Sequence, residues 1–196
     1  MSVASRPRLS AEERRHELLA AASRVFARSS YRGATTAEIA REAGVTEPIL
    51  YRHFASKRDL YLACLDDALG SFREAAERAL AEDPDGCLGA IVDEYVAKRA
   101  RTRLVDLWIQ ALNEAGDDPV IAKALRAQIR DVHAFVVDVI ERGQRAGTLN
   151  AERDAVAEAW LFVAGGLLAT IDQRLGGLLG ADLERVRASR RDYMHP

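Results

Sequence analysis

The chain reads as an all-α protein, on three observations. Apolar residues recur three and four apart along most of its 196 residues, the spacing that lines one face of a helix. The segments with that spacing are bounded by cap residues, glycine and proline. No run of β-branched and aromatic residues alternates with polar ones as a half-buried strand would, and no internal repeat or low-complexity tract is present.

Met1 to Leu9, with Arg6, Pro7 and Arg8, is a loose basic arm. Ser10 and Glu13 have the spacing of a capping box, in which each side chain satisfies a free N–H at a helix start. The helix they open runs to about Ser29, with Leu18, Leu19, Ala22, Val25 and Phe26 as its apolar stripe. Tyr31-Arg32-Gly33 is the connection, and Gly33 is the expected helix-exit residue. Thr35 and Glu38 repeat the capping-box spacing and open a short helix that ends at Gly44. Thr46 can cap the next helix, with Glu47 and Pro48 in a first turn where a missing N–H does little harm. Leu50 and Phe54, four apart, face the core. Ser56-Lys57-Arg58-Asp59 caps a long helix that continues to about Ala81 through Leu60, Tyr61, Cys64, Leu65, Leu69 and Phe72. Glu82 to Gly86 breaks the pattern, and further helices are expected at about 87–101, 103–115, 119–146, 154–175 and 182–193.

Two short helices around Gly44-Val45 make a helix-turn-helix, and the second is too polar on one face to be only a core helix. A helix of that length fits a DNA major groove, where its first residues reach base edges and the preceding helix lies across the backbone. Thr35 and Thr36 offer hydroxyls and N–H groups at a helix start, an arrangement suited to phosphate. Arg52 can bond guanine bidentately, while Glu47 can accept from cytosine or repel misplaced phosphates. Tyr51 reads as a phosphate ligand through its hydroxyl or as a half-buried core aromatic, and Ile49 as a thymine-methyl contact or a packed side chain.

In the order of its pieces, from Gly33-Ala34-Thr35-Thr36 through the helix-turn-helix to Leu50-Tyr51-Arg52-His53-Phe54 and Ser56-Lys57, the first 65 or so residues resemble the tetracycline-repressor (TetR) family of bacterial regulators. Ile49 departs from the small or hydroxyl residue often found there. The resemblance implies an N-terminal three-helix DNA-binding domain over residues 1–56 and a C-terminal helical ligand-binding and dimerisation domain over 57–196. It puts Thr36, Thr46, Glu47, Pro48, Ile49, Tyr51, Arg52, His53 and Lys57 at or near a double-stranded DNA operator. It further implies a homodimer in which the last two helices pair with their two-fold mates, with Trp160, Ala164, Leu167, Leu168 and Ile171 as the interface candidates. Gly165-Gly166 in mid-helix supports a close helix approach, since glycine costs a helix about 1 kcal/mol relative to alanine; an intrachain contact is the alternative.

The formal charge of −2 hides a division. Residues 1–58 hold eleven Lys and Arg against six Asp and Glu, and the remainder holds 17 against 24. A basic head on an acidic body suits a chain that sets one end on a polyanion, although surface charge also fluctuates without function. Ala159 to Ile171, the most apolar stretch, is too short to span a bilayer and is flanked by Glu158 and Asp172. No apolar h-region follows the basic start, so no secretory signal, no membrane partner and a cytoplasmic location are expected. Cys64 and Cys87 share no metal-binding spacing and read as unpaired thiols.

The C-terminal half offers Tyr95, Trp108, Leu112 and Phe135 as the lining of a pocket for a small effector, with Gln110, Asn113 or His133 as polar handles. The four histidines, His16, His53, His133 and His195, lie on separate segments, with no nucleophile elbow, phosphate-cradling glycine loop or metal-ligand cluster. The expectation is a DNA-binding regulator without cofactor or metal, not an enzyme. Its leading form is a repressor released by an effector, and its alternative a DNA-binding protein controlled by a protein partner or acting architecturally.

Overall fold

The computed structural model describes residues 10–82 and 104–194, and all regular structure among them is helical. The helices are α1 (Ala11–Gly33), α2 (Thr36–Glu42), α3 (Glu47–His53), α4 (Lys57–Glu82), α5 (Leu104–Glu114), α6 (Pro119–Ala146), α7 (Ala155–Arg174) and α8 (Asp182–Met194). The basic arm, most of the Glu82–Gly86 breaker and the helix expected at 87–101 lie outside the described residues. The chain divides into two compact units, one through Asp67 and one from Ala68. That division falls inside α4, whereas the resemblance implies a boundary at its first residue, Lys57.

In the first unit the capping box of Ser10 and Glu13 forms in both directions, and its hydrogen bonds to the Ser10 backbone and hydroxyl hold the Glu13 carboxyl below its usual range. Leu18, Leu19, Val25 and Phe26 of α1 are buried with Ile39, Leu50, Leu60, Tyr61 and Leu65. The first turns of α4 belong to this core because Tyr61 meets Phe26 edge-on at 4.9 Å between ring centroids and Tyr31 at the same distance. The exit from α1 differs from expectation. Ser30, not Gly33, takes the positive φ of 62°, and its Oγ accepts the Gly33 N–H at 3.3 Å. A serine hydroxyl can supply the local bond that a glycine lacks, which offsets part of the backbone cost.

Cys64 is fully buried, and desolvation pushes its thiol up to about 12. At pH 8 almost none of it is thiolate. Native protein treated with an aromatic disulfide reagent should therefore show no modification at Cys64 by peptide mapping, and full modification in denaturant; labelling of the native form would contradict this packing.

In the second unit α6 is the long axis. Asp118 caps it by accepting from the Val120 and Ile121 N–H groups at 2.9 and 3.3 Å, and Pro119 follows in the first turn. Ile121, Leu125, Val132, Val136, Val139 and Ile140 form its buried stripe, against which α5 and α7 pack. Gly147, at φ 76°, ends the helix. Asp154 caps α7 through Val156 and Ala157, and Glu158 in that first turn is only 1% exposed. Its carboxylate is bonded by Arg153 from the preceding loop and by Arg190 of α8. By length and composition alone α7 would suffice to cross a membrane, as many a core helix would, and Glu158 and Asp172, which flank its apolar stretch, both lie within the helix. That buried and doubly paired carboxylate, together with the packing of α7 along α6, gives the helix a place in the unit's own core.

Gly143 of α6 is needed for space. A Cβ there would lie 2.7 Å from Cδ1 of Leu149, itself 3% exposed, so the leucine would have to shift within a packed setting. Gly143→Ala should cost about 1–3 kcal/mol and lower the thermal unfolding midpoint by several degrees. An unchanged midpoint would show that the loop after α6 yields.

Candidate nucleic-acid interface

The candidate surface is built from the start of α2, all of α3 and the first turn of α4. Thr35 caps α2 in one direction, its Oγ1 accepting the Glu38 N–H at 3.1 Å. Glu38 does not complete the expected box; its carboxylate lies 4.0 Å from Arg28 of α1. Beside it, Arg24 and Arg28 bond Glu42, and those bonds hold the Glu42 carboxyl below its usual range. α2 is thereby tied to α1 along its length.

Gly44 makes the turn at φ 66°, with its N–H on Arg41 O at 3.1 Å and the following Val45 N–H on Ala40 O at 2.9 Å. A Cβ at Gly44 would touch nothing within 4 Å, so the requirement is backbone conformation alone. Thr46 stands at the N-cap of α3 as expected, but its side chain makes no capping bond. The backbone carbonyl carries the cap, accepting from Ile49 and Leu50 at 3.0 and 3.3 Å, and the threonine side chain is exposed.

Leu50 and Phe54 are buried, as their spacing requires. Arg15 of α1 supports the end of α3 in a way the sequence does not signal, with its guanidinium 4.5 Å above the Phe54 ring and an N–H on the His53 carbonyl at 3.4 Å. On the opposite side Thr46, Pro48, Tyr51 and Arg52 are exposed, while Thr36, Glu47, Ile49, His53 and Lys57 are half-buried. Tyr51, at 47% exposure, is a surface residue and not a core aromatic.

The structure joins three of the expected contact residues by hydrogen bonds. The Tyr51 hydroxyl donates to Thr36 Oγ1 at 3.2 Å, and the Thr36 hydroxyl donates to Glu47 Oε2 at 3.2 Å. Lys57 donates to the Ala34 carbonyl at 2.9 Å and lies 4.6 Å above the Tyr31 ring. It therefore holds the start of α4 against the approach to α2 while reaching the same surface. What the arrangement can do is grip an anionic backbone through hydroxyls and a cation while offering Arg52 and the first turn of α3 to base edges.

The residues singled out in the second unit scatter more widely. Tyr95 lies outside the described residues. Trp108 is buried and donates its indole N–H to Gln128 Oε1 at 3.1 Å. Phe135 is half-buried and meets Phe72 edge-on at 6.3 Å. Leu112 is 51% exposed at the last turn of α5, so it does not line an enclosed space in this chain, and Asn113 beside it is also exposed. Gln110 is buried, and its Oε1 has no hydrogen-bond partner among the described residues. His133 donates from Nε2 to the Val156 carbonyl, 3.0 Å away, and stacks on Trp160 with ring centroids 4.2 Å apart.

Trp160, Ala164, Leu168 and Ile171 are all exposed, and Leu167 is half-buried. Among the exposed residues of α7 is a longer series that the sequence reading caught only in part, Ala157, Leu161, Ala164, Leu168 and Ile171, spaced alternately four and three apart, with Leu175 at the C-cap next in step. That is the heptad spacing of a helix seam, with Trp160 and Leu167 along one margin. A Cβ on Gly165 or Gly166 would meet nothing within 4 Å, so the backbone there is open to close approach.

Residues 18–64 match the model of bacterial regulatory proteins of the tetR family, and residues 84–189 match that of the BetI-type transcriptional repressor C-terminal domain. The chain is 32% identical over 158 residues to the HTH-type transcriptional regulator TtgR of Pseudomonas putida, spanning 75% of each. It is 45% identical over 78 residues to the HTH-type transcriptional activator FasR of Mycolicibacterium smegmatis, spanning 40% of this chain and 36% of that one. Its fold matches a TetR-family regulator from Rhodococcus sp. with a TM-score of 0.79 at 18% identity, covering 93% of this chain and 99% of the other. Two successive family matches, the first covering a helix-turn-helix whose polar face is open and the second more than half of the chain, make this chain a member of the TetR family of bacterial transcriptional regulators.

Proposed function

We propose that the chain is a homodimeric repressor that leaves its operator when a small effector binds the second unit. The observation that carries the DNA half of this reading is the open face of α3, where Tyr51 and Arg52 stand exposed beside Thr36, Glu47 and Lys57. Thr36, Tyr51 and Lys57 grip phosphate, and Thr46, Glu47, Pro48, Ile49 and Arg52 meet the groove, with His53 at its edge. The repressor half draws on the description of the C-terminal family model.

The dimer rests on the exposed seam of α7. A second copy laid against Leu161, Ala164, Leu168 and Ile171 removes apolar side chains from water and lets two backbones approach at Gly165-Gly166. Two-fold symmetry then sets two reading helices about 34 Å apart, on successive major grooves of a near-palindromic site. The effector is small and largely apolar, bound beside Trp108 and Phe135, with the unpartnered Gln110 Oε1 as an acceptor for one of its donors. Because α4 runs without a break from the first unit into the second, a shift of its C-terminal turns moves the reading head. Operator and effector then weaken each other's binding by the same factor.

Selection of bound fragments from fragmented source DNA, repeated at two salt concentrations, tests the reading. One near-palindromic fragment retained at high salt is expected; diffuse binding that vanishes with salt would reduce the surface to electrostatic affinity. Lys57→Ala should weaken binding to all sequences and lower the salt slope by about one, with a modest loss of thermal stability because Ala34 and Tyr31 lose their partner. Arg52→Ala should relax preference at particular base pairs; a uniform loss would remove Arg52 from base reading. Leu168→Glu in the seam should yield monomers by sedimentation at micromolar concentration with an intact fold, whereas an unchanged dimer would place the interface elsewhere.

A further inference from the structure

We infer that Glu47 is a specificity-determining residue that acts through Thr36 and Tyr51, standing in for a DNA phosphate in the free protein and thereby penalising non-cognate DNA. The inference rests on the reading of α2 and α3 as the DNA-contacting surface.

Each hydroxyl owns one proton. Tyr51 spends its proton on Thr36 Oγ1, and Thr36 spends its own on Glu47 Oε2, so the relay ends on a carboxylate and neither proton is offered outward. A phosphate has only acceptors. To bind one, Thr36 must turn its hydroxyl away from the half-buried Glu47, which removes that carboxylate's donor, or Tyr51 must release Thr36 Oγ1; either way a second anion comes beside Glu47. That cost falls on every duplex. It is offset only where α3 docks closely enough for base contacts, among them an amino group of cytosine able to satisfy the carboxylate in place of Thr36. Random DNA supplies no such compensation, so the relay widens the gap between the two kinds of site.

The relay also explains a combination that a simple phosphate grip leaves odd. An acid at the first position of a reading helix, pointing back to the Thr36 hydroxyl of α2, opposes the very anion that this hydroxyl would bind. As a restraint on promiscuous binding the placement has a use.

The test compares the full-length protein with Glu47→Gln, Glu47→Ala, Thr36→Val and Tyr51→Phe. Affinity is measured for the fragment recovered by selection and for a random-sequence duplex of equal length, with thermal unfolding recorded for every variant. Glu47→Gln keeps an acceptor for Thr36 but removes the charge, and Glu47→Ala removes both. Both should bind the random duplex more tightly, by about fivefold or more, and the selected fragment by less, so that the ratio of the two affinities falls. A merely structural role would weaken both duplexes and leave the ratio alone, which would overturn the inference. It would equally be overturned if Glu47→Gln lost affinity for the selected fragment only, since Glu47 would then be a plain base contact. If Thr36→Val and Tyr51→Phe bound both duplexes like the parent, the assignment of this surface to DNA would fall, and the inference with it.

Discussion

A helix of seven residues has no stability of its own in water, because nucleation costs more than so few hydrogen bonds return. α3 is such a helix, and so is α2, yet together they form the helix-turn-helix that marks the family. The arrangement of the first unit follows from that constraint. Leu50 and Phe54 anchor α3 from below, and Arg15 covers Phe54 while binding the carbonyl at the end of the helix. Gly44 fixes the angle between α2 and α3 through a backbone conformation that other residues adopt only at a cost. Arg24 and Arg28 hold α2 to α1 through Glu42, and Lys57 holds α4 to the approach of α2. The open face of α3 is thus supported from several sides beneath, which leaves its exposed residues free to be polar.

The features legible in the sequence were those governed by neighbours a few residues away. The Ser10 and Glu13 box, the left-handed glycine at 44, the burial of Leu50 and Phe54 and the start of α6 at Pro119 are all set within one helical turn, and all are as read. Where a distant partner decides, the sequence was silent. Nothing near Glu38 announces that Arg28, ten residues earlier on another helix, will compete for its carboxylate. Gly33 is the residue most able to adopt a positive φ, yet Ser30 does so because its hydroxyl can bond Gly33. Thr46 takes the cap position without using its side chain. The nine residues assigned to DNA could be placed on one surface from spacing and resemblance, but the relay linking Thr36, Tyr51 and Glu47 needs coordinates, since the atoms involved come from separate helices.

The second unit shows the same limit more sharply. Aromatic residues can be found in a sequence, but whether they face a pocket, a core or water depends on the packing of several helices at once. Trp108 is inside, Leu112 is outside, and Phe135 lies between. The exposed heptad series of α7 was caught only at some of its members, because four residues of ordinary helix core have the same spacing as four residues of a seam. What distinguishes them is the lack of cover, which only the folded chain reveals. The buried Glu158 is a related case: a carboxylate that looks like the end of an apolar run turns out to be the knot that ties α8 and the loop before α7 to α7 itself. Removing one member of such a set leaves charge in a place poor in water, so the last helix is held by more than apolar contact.

The two tryptophans of the chain sit in opposite circumstances. Trp108 is enclosed and its indole is bonded to Gln128, while Trp160 is nearly half exposed and lies flat against the imidazole of His133. The first emits from an apolar interior and the second from a wet surface beside a quenching ring. The molecule thus carries two internal fluorophores of different colour, one next to the place assigned to the effector and one on the seam assigned to the second copy. Occupancy and assembly can be followed separately in a single emission spectrum, without attaching a label to either.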